Sequence, residues 1–158
     1  MNKQIAILKE LLGTKDYKRS YPDLTNRVLL FESENSLLIP PDLIEYFKLM
    51  DNAMHQLDRD LYQFYSFNQF KSIKLELALW GGVPDYRNLI NTMYDYEKCF
   101  VFADYMSHLF AYAIRLYPNA TDVNEVYLIC GDKYKIIASS FSEFINLYFD
   151  DSEELKNI

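Results

Sequence analysis

The chain is poor in the residues that build catalytic and metal centres. Its 158 residues include only two histidines and two cysteines. Neither His55 nor His108 has a second histidine or a cysteine three or four positions on, so the helical spacing of a metal site is missing. Cys99 and Cys130 stand apart, outside any CxxC, each in an apolar run where a thiol behaves as a small hydrophobe. That usage suits a reducing compartment, with a single disulfide as the open alternative. Four glycines and five prolines are too few for a low-complexity or disordered chain. GxxxxGK[ST], GxGxxG, GxSxG and HExxH are all absent, and Gly81-Gly82 has no lysine or further glycine with which to hold a phosphate. No stretch approaches 18 apolar residues, so no membrane span is expected. The opening MNKQIAILKELLG has no apolar core or small-residue cleavage site of a signal peptide, and the expected location is cytoplasmic.

What is present is hydrophobic and aromatic. Half of the residues are apolar, with 14 Tyr and 11 Phe, enough for one domain over 1–158 to build a core without disulfides or metals. The net charge of −7 is uneven. Residues 1–27 hold six basic and three acidic side chains, and residues 28–158 hold ten basic and twenty acidic. A field of that sign repels nucleic acid and anionic lipid and favours a basic partner; it also keeps a protein soluble.

Periodicity gives the elements. Ile5, Leu8 and Leu12 predict a short helix over 2–13, followed by a basic, turn-prone stretch to Arg27 and an apolar run at Val28–Phe31. Pro40-Pro41-Asp42 starts a second helix with Leu43, Phe47, Met50 and Met54 on one face. Residues 53–65 fit a continuing helix or a tyrosine-rich loop. Ser66-Phe67-Asn68-Gln69 reads as a capping box for a third helix carrying Phe70, Ile73, Leu77 and Trp80. From Cys99 the texture becomes β-like. Cys99–Asp104, Phe110–Leu116, Glu125–Cys130 and Lys133–Ala138 predict four consecutive antiparallel strands, the last two joined by the Gly131-Asp132 turn. Ser140-Phe141-Ser142-Glu143 reads as a second capping box, opening a closing helix with Phe141, Phe144, Ile145 and Tyr148 inward, and the acidic tail from Asp150 is expected to fray. The fold class is α+β, an antiparallel meander flanked by N-terminal helices and one C-terminal helix. Phe47, Phe70, Ile114, Leu128, Phe141 and Phe144 are the predicted common core.

Candidate functional residues follow from what remains. Asp104, at a strand end, is the sharpest candidate for a general base; hydrogen bonding to turn amides is the commoner use of such an Asp. An alternative ligand pocket would gather Trp80, Asp85, Asp104 and Tyr105. His55 reads as a surface helix residue and His108 as a loop residue between strands. No spacing assembles a nucleophile, a base and an orienting group, so no enzyme activity, cofactor or metal is expected. Tyrosines interleave with acids, as in Tyr94-Asp95-Tyr96-Glu97, which suits protein recognition and not a phosphate backbone. Asp85, Tyr86, Asp95, Tyr96 and Glu97, in a polar segment between regular elements, are the candidate partner-binding residues.

Four stretches together resemble a known family: LLIPPDLIEYFKLMDNA, FYSFNQFKSIKLELALWGGVPDY, CFVFADYMSHLFAYAIRL and NEVYLICGDKYKIIASSFSEFINLYFDD. Most telling are FADY at Phe102–Tyr105, YAIRL at Tyr112–Leu116 and IASSFSEFI at Ile137–Ile145. Over residues 28–150 the chain is similar to the SUKH superfamily, the type named for fungal SMI/KNR cell-wall-assembly regulators. The resemblance implies an antiparallel sheet flanked by helices and no shared catalytic residues. In bacteria it implies an immunity protein that binds and neutralises a cognate toxin, often a basic nuclease. A regulatory adaptor unrelated to toxins is the alternative within the same fold. Residues 1–27, with the N-terminal helix and basic segment, and the acidic tail 151–158 lie outside the matched pattern.

Overall fold

The computed structural model describes residues 3, 4, 7, 8, 23–51 and 60–158. Residues 3, 4, 7 and 8 are helical and Leu8 is fully buried. The remainder of the helix expected over 2–13, the basic stretch to residue 22, Met54 and His55 lie outside the described residues.

Helix α1 (Leu24–Asn35) starts where Asp23 accepts a hydrogen bond from the Thr25 amide. The run Val28–Phe31, read as an apolar segment, is thus helical. Only its Val28 is buried, while Phe31 packs edge-on against Phe67 and Phe100. Helix α2 (Pro41–Met50) begins with proline at its first position and buries Leu43, Tyr46, Phe47 and Met50. Strand β1 (Tyr62–Phe64) occupies the end of the segment expected to be helix or loop.

The third helix departs from its sequence reading. The Ser66–Gln69 capping box forms, but it caps a single 3-10 turn, Phe67–Gln69. The chain then extends through β2 (Lys71–Ser72) before helix α3 (Ile73–Leu77) begins at a second cap, with Ser72 Oγ accepting from the Leu75 amide. Phe70 packs against the rings of Phe31, Phe47 and Phe100 on one face of the sheet, whereas Ile73 and Leu77 are buried on the other. One helical stripe cannot reach both faces, so the chain crosses the sheet between Phe70 and Ile73. A short helix α4 (Leu89–Thr92) and a 3-10 turn, Tyr96–Lys98, complete this second layer.

Strands β3 (Cys99–Tyr105), β4 (Phe110–Arg115), β5 (Val126–Cys130) and β6 (Lys133–Ala138) form the meander predicted from sequence, antiparallel throughout. The sheet order is β1-β3-β4-β5-β6, with β2 also paired to β3. Central β4 is buried on both faces. Its Phe110, Tyr112 and Ile114 enter the larger core, with all six predicted core residues. Ala111 and Ala113 point the other way, and their small side chains leave room for α3 and α4 to lie close.

Helix α5 (Phe141–Phe149) covers the larger core, capped by Ser140. Glu143 reaches Ser139 instead of Ser140, accepting from its amide and hydroxyl at 2.6 Å. Asp42 ties the start of α2 to the first turn of α5, accepting from the Ser142 amide at 2.8 Å. The tail does not fray as expected. A 3-10 turn, Glu153–Leu155, buries Leu155, whose carbonyl accepts from the Tyr112 hydroxyl at 2.8 Å. Among the described residues no helix is long and apolar enough to cross a membrane.

Candidate functional site

The layer formed by residues 73–98, with the end of β3 that it covers, carries the features that the packing of the fold does not require. Two of them are distinct: a buried polar cluster against the sheet, and an outer surface of exposed apolar and aromatic side chains.

The buried cluster is built on the end of β3. Pairing with Ala111 turns the Asp104 side chain toward the smaller core, where it is 1% exposed. The Tyr65 hydroxyl donates to its Oδ2 at 2.6 Å, and His108 Nε2 lies 3.8 Å from the same oxygen. Among the described residues Oδ1 is the one buried side-chain oxygen or nitrogen without a hydrogen-bond partner. Burial raises the Asp104 pKa, opposed by the Tyr65 hydrogen bond and the neighbouring imidazole. Burial and then the Asp104 carboxylate push the Tyr65 phenol well above its ordinary value. His108 lies flat on Trp80, with ring centroids 3.7 Å apart. The connection that places it is left-handed at Met106, Ser107 and His108, with φ of 48°, 50° and 80°. Tyr86 holds this turn by donating its hydroxyl to the carbonyls of His108 and Leu109.

This arrangement decides between the sequence-based candidates. His108 sits between two strands, as expected, but covers Asp104. Trp80 and Asp104 come together through it; Asp85 and Tyr105 do not join them. Asp85 is in an exposed loop, and the Tyr105 ring stacks with Phe110 among residues of the opposite core. Pairing with Trp80 at long range left no signal in the sequence that would have marked His108. No group of three His, Cys, Asp or Glu side chains that could hold a metal occurs among the described residues. Cys99 and Cys130 are free thiols, Cys99 inside the smaller core and Cys130 against the larger one.

The five candidate contact residues separate. Tyr86 is 3% exposed and packs edge-on against Trp80, so it belongs to the core and offers no area to a partner. Asp85 is exposed but engaged by Arg87 at 2.7 Å, which holds its carboxyl down at about 2. Asp95 pairs with the buried Arg115 at 3.2 Å, and Glu97 with Lys74 at 3.7 Å. Tyr96 is half-buried beside the smaller core. Asp95, Tyr96 and Glu97 line, with Ile90 and Tyr94, an open hollow of about 500 Å³.

What lies outward is largely apolar. Leu75 is 63% exposed, Leu79 76%, Val83 99% and Tyr94 88%. A groove of about 270 Å³ between α3 and α4 has Ile73, Leu77, Leu89 and Ile90 in its walls. The charge of this layer is balanced: residues 71–98 contain four acidic and four basic side chains. The acidic excess lies on the opposite, helical side. Residues 24–51 contain five acids and two bases there, and residues 139–158 five acids and one base.

Comparison with known proteins gives one finding. No curated protein and no solved structure matches the chain. The SMI1 / KNR4 family (SUKH-1) matches over residues 25–147, most of the chain and nearly the region whose sequence pattern resembles it. The chain belongs to this family.

Proposed function

We propose that this member of the SMI1 / KNR4 family is a non-catalytic protein-binding domain, an immunity protein that neutralises a cognate, basic toxin. The carrying observation is the outer surface of the 73–98 layer. Four large apolar or aromatic side chains stand more than half exposed along it, beside a groove that the fold leaves open. Several large apolar side chains left exposed on one layer are a feature of interaction surfaces. Leu79, Val83, Tyr94 and Tyr96 would supply buried contact area, and Asp85, Asp95 and Glu97 its polar rim. The acids of that rim are already paired within the chain. Attraction for a basic partner therefore comes from the helical layer and tail, whose excess charge would speed encounter at low salt.

The test is co-expression and pull-down with the product of the neighbouring reading frame. Capture of a basic toxin, with loss of its toxicity in cells that hold both, is the expected result. Absence of any complex with that product would remove the immunity reading. A ligand-binding or enzymatic reading would have to rest on Asp104 and His108. Asp104 is 1% exposed, with Tyr65 and His108 over its Oδ2, so this reading comes second.

A further inference from the structure

The sheet ends in two quite different edges. Strand β1 is three residues long, with Tyr62 and Phe64 buried. Strand β6 is six residues long and, among the described residues, no strand pairs with its outer side. The two-residue turn at Gly131-Asp132 makes Cys130 and Lys133 the first pair of the hairpin. In an antiparallel ladder the pair flanking such a turn exchanges hydrogen bonds, and the bonding alternates from there. The backbone groups of Lys133 and Lys135 are therefore spent on β5, while those of Tyr134 and Ile136 point to the open edge.

The side chains at those positions are exposed as well. Tyr134 and Ile136 stand opposite Ile129 and Tyr127 on the face of the smaller core, at the margin of α4, whose last residue meets the Tyr134 hydroxyl. Ile136 is 56% exposed and Tyr134 37%, and the Tyr134 hydroxyl donates to the Thr92 carbonyl at the rim of the 90–98 hollow. Lysines on an edge strand ordinarily discourage pairing. Here the Lys135 ammonium is drawn over the opposite face to Glu154, at 3.2 Å, leaving the ladder groups open.

We infer that the outer edge of β6 accepts an extended segment of the partner protein as a seventh, antiparallel strand. This deepens the protein-binding reading and rests on it. Unspent donors and acceptors at Tyr134 and Ile136 specify an extended chain, since only such a chain satisfies both in register. Alternation then sets its chemistry. Residues beside Tyr134 and Ile136 are apolar or aromatic, and residues beside Lys133 and Lys135 are acidic or uncharged. A second copy of β6 fits poorly. Pairing Tyr134 with Ile136 of the copy sets Lys135 opposite Lys135, pairing Tyr134 with itself sets Lys133 opposite Lys135, and pairing Ile136 with itself sets Lys135 against the apolar Ile137 with no acid to meet it.

The probe is a capped synthetic peptide alternating valine with glutamate, compared with one alternating valine with lysine. With the full chain, the glutamate peptide at millimolar concentration is expected to protect the Tyr134 and Ile136 amides from hydrogen exchange at least tenfold. The lysine peptide is expected to give no protection. Ile136→Pro deletes one outward N–H at an edge position that tolerates proline, and should abolish the effect while the meander amides elsewhere keep their protection. Should that variant not fold, the wild-type exchange result stands alone as the test. No protection at 134 and 136, equal protection by both peptides, or concentration-dependent dimerisation that itself protects them would overturn the inference. A neighbouring gene product captured equally by wild type and Ile136→Pro would overturn it too, and would leave the protein-binding reading standing.

Discussion

At the scale of single residues, Asp104 on β3 and Asp85 in the loop before α4 show how far environment separates two carboxyls. Asp85 lies in solvent against Arg87 and is held at about 2. Asp104 is buried, with Oδ1 unpaired, and its pKa is raised. A folded-state pKa above the unfolded one means that the native protein binds the proton more tightly. The stability it contributes is present below the ordinary carboxylate range and is lost as pH rises through the raised value. Asp104→Asn removes the ionisation and keeps an acceptor for Tyr65. The variant is therefore expected to lose less stability than wild type between mildly acidic and neutral pH, as measured by melting temperature across that range. An unchanged slope would place the titration elsewhere. Gly131 gives a second prediction. Its φ is 62°, and an added Cβ would lie 3.2 Å from the Asp85 carbonyl oxygen. Gly131→Ala should cost about 1–2 kcal/mol from the left-handed conformation alone, read from chemical denaturation.

At the scale of elements, α5 is the piece on which the larger core depends. Phe144 is fully buried and touches the rings of Phe102, Tyr112 and Phe64. Phe144→Ala should cost about 3–5 kcal/mol. In a chain of this size that lowers the melting temperature by roughly 2–4 °C per kcal/mol. Such stripes were legible in sequence because α5 and the four-strand meander are each built from local repetition: helical spacing at Phe141, Phe144 and Ile145, and alternation along 110–116. The third helix was not legible. Phe70, Ile73, Leu77 and Trp80 keep helical spacing, but they serve two cores on opposite faces, a division set by tertiary packing. Strand β1 failed for a related reason: three residues are too few to display a period, and its identity comes from pairing with β3. Among the candidate site residues, Tyr86 looked like a loop tyrosine, while its hydroxyl spans to the 106–109 turn across 22 residues of sequence. Exposure of Leu75, Leu79 and Val83 was likewise invisible, since an apolar residue gives no sign of having been left outside.

At the scale of the whole molecule, the sheet divides the protein into a layer with excess acidic charge and a layer with exposed apolar side chains. The helical side, α1, α2 and α5 with the tail, holds the acidic excess. The 73–98 layer is balanced in charge, the β6 edge carries Lys133 and Lys135, and together they present Leu79, Tyr94, Tyr134 and Ile136. These two properties act on different steps of association. Long-range charge governs the rate of encounter and is screened by salt, and desolvated aromatic contacts govern dissociation. Tyr94→Ala should weaken partner binding by about 2 kcal/mol, the level expected of a central aromatic anchor. It should do so through the dissociation rate and without lowering the melting temperature, because the side chain is 88% exposed. Charge reversal of Asp150, Asp151 and Glu153 should slow association at low salt and leave dissociation nearly unchanged.

Surface-based binding kinetics with the purified product of the neighbouring reading frame, at low and at high salt, test the central claim most directly. A one-to-one complex is expected, whose association slows as salt is raised and whose dissociation quickens in Tyr94→Ala. A product that shows no binding at either salt concentration, or binding insensitive to both salt and Tyr94, would contradict that claim.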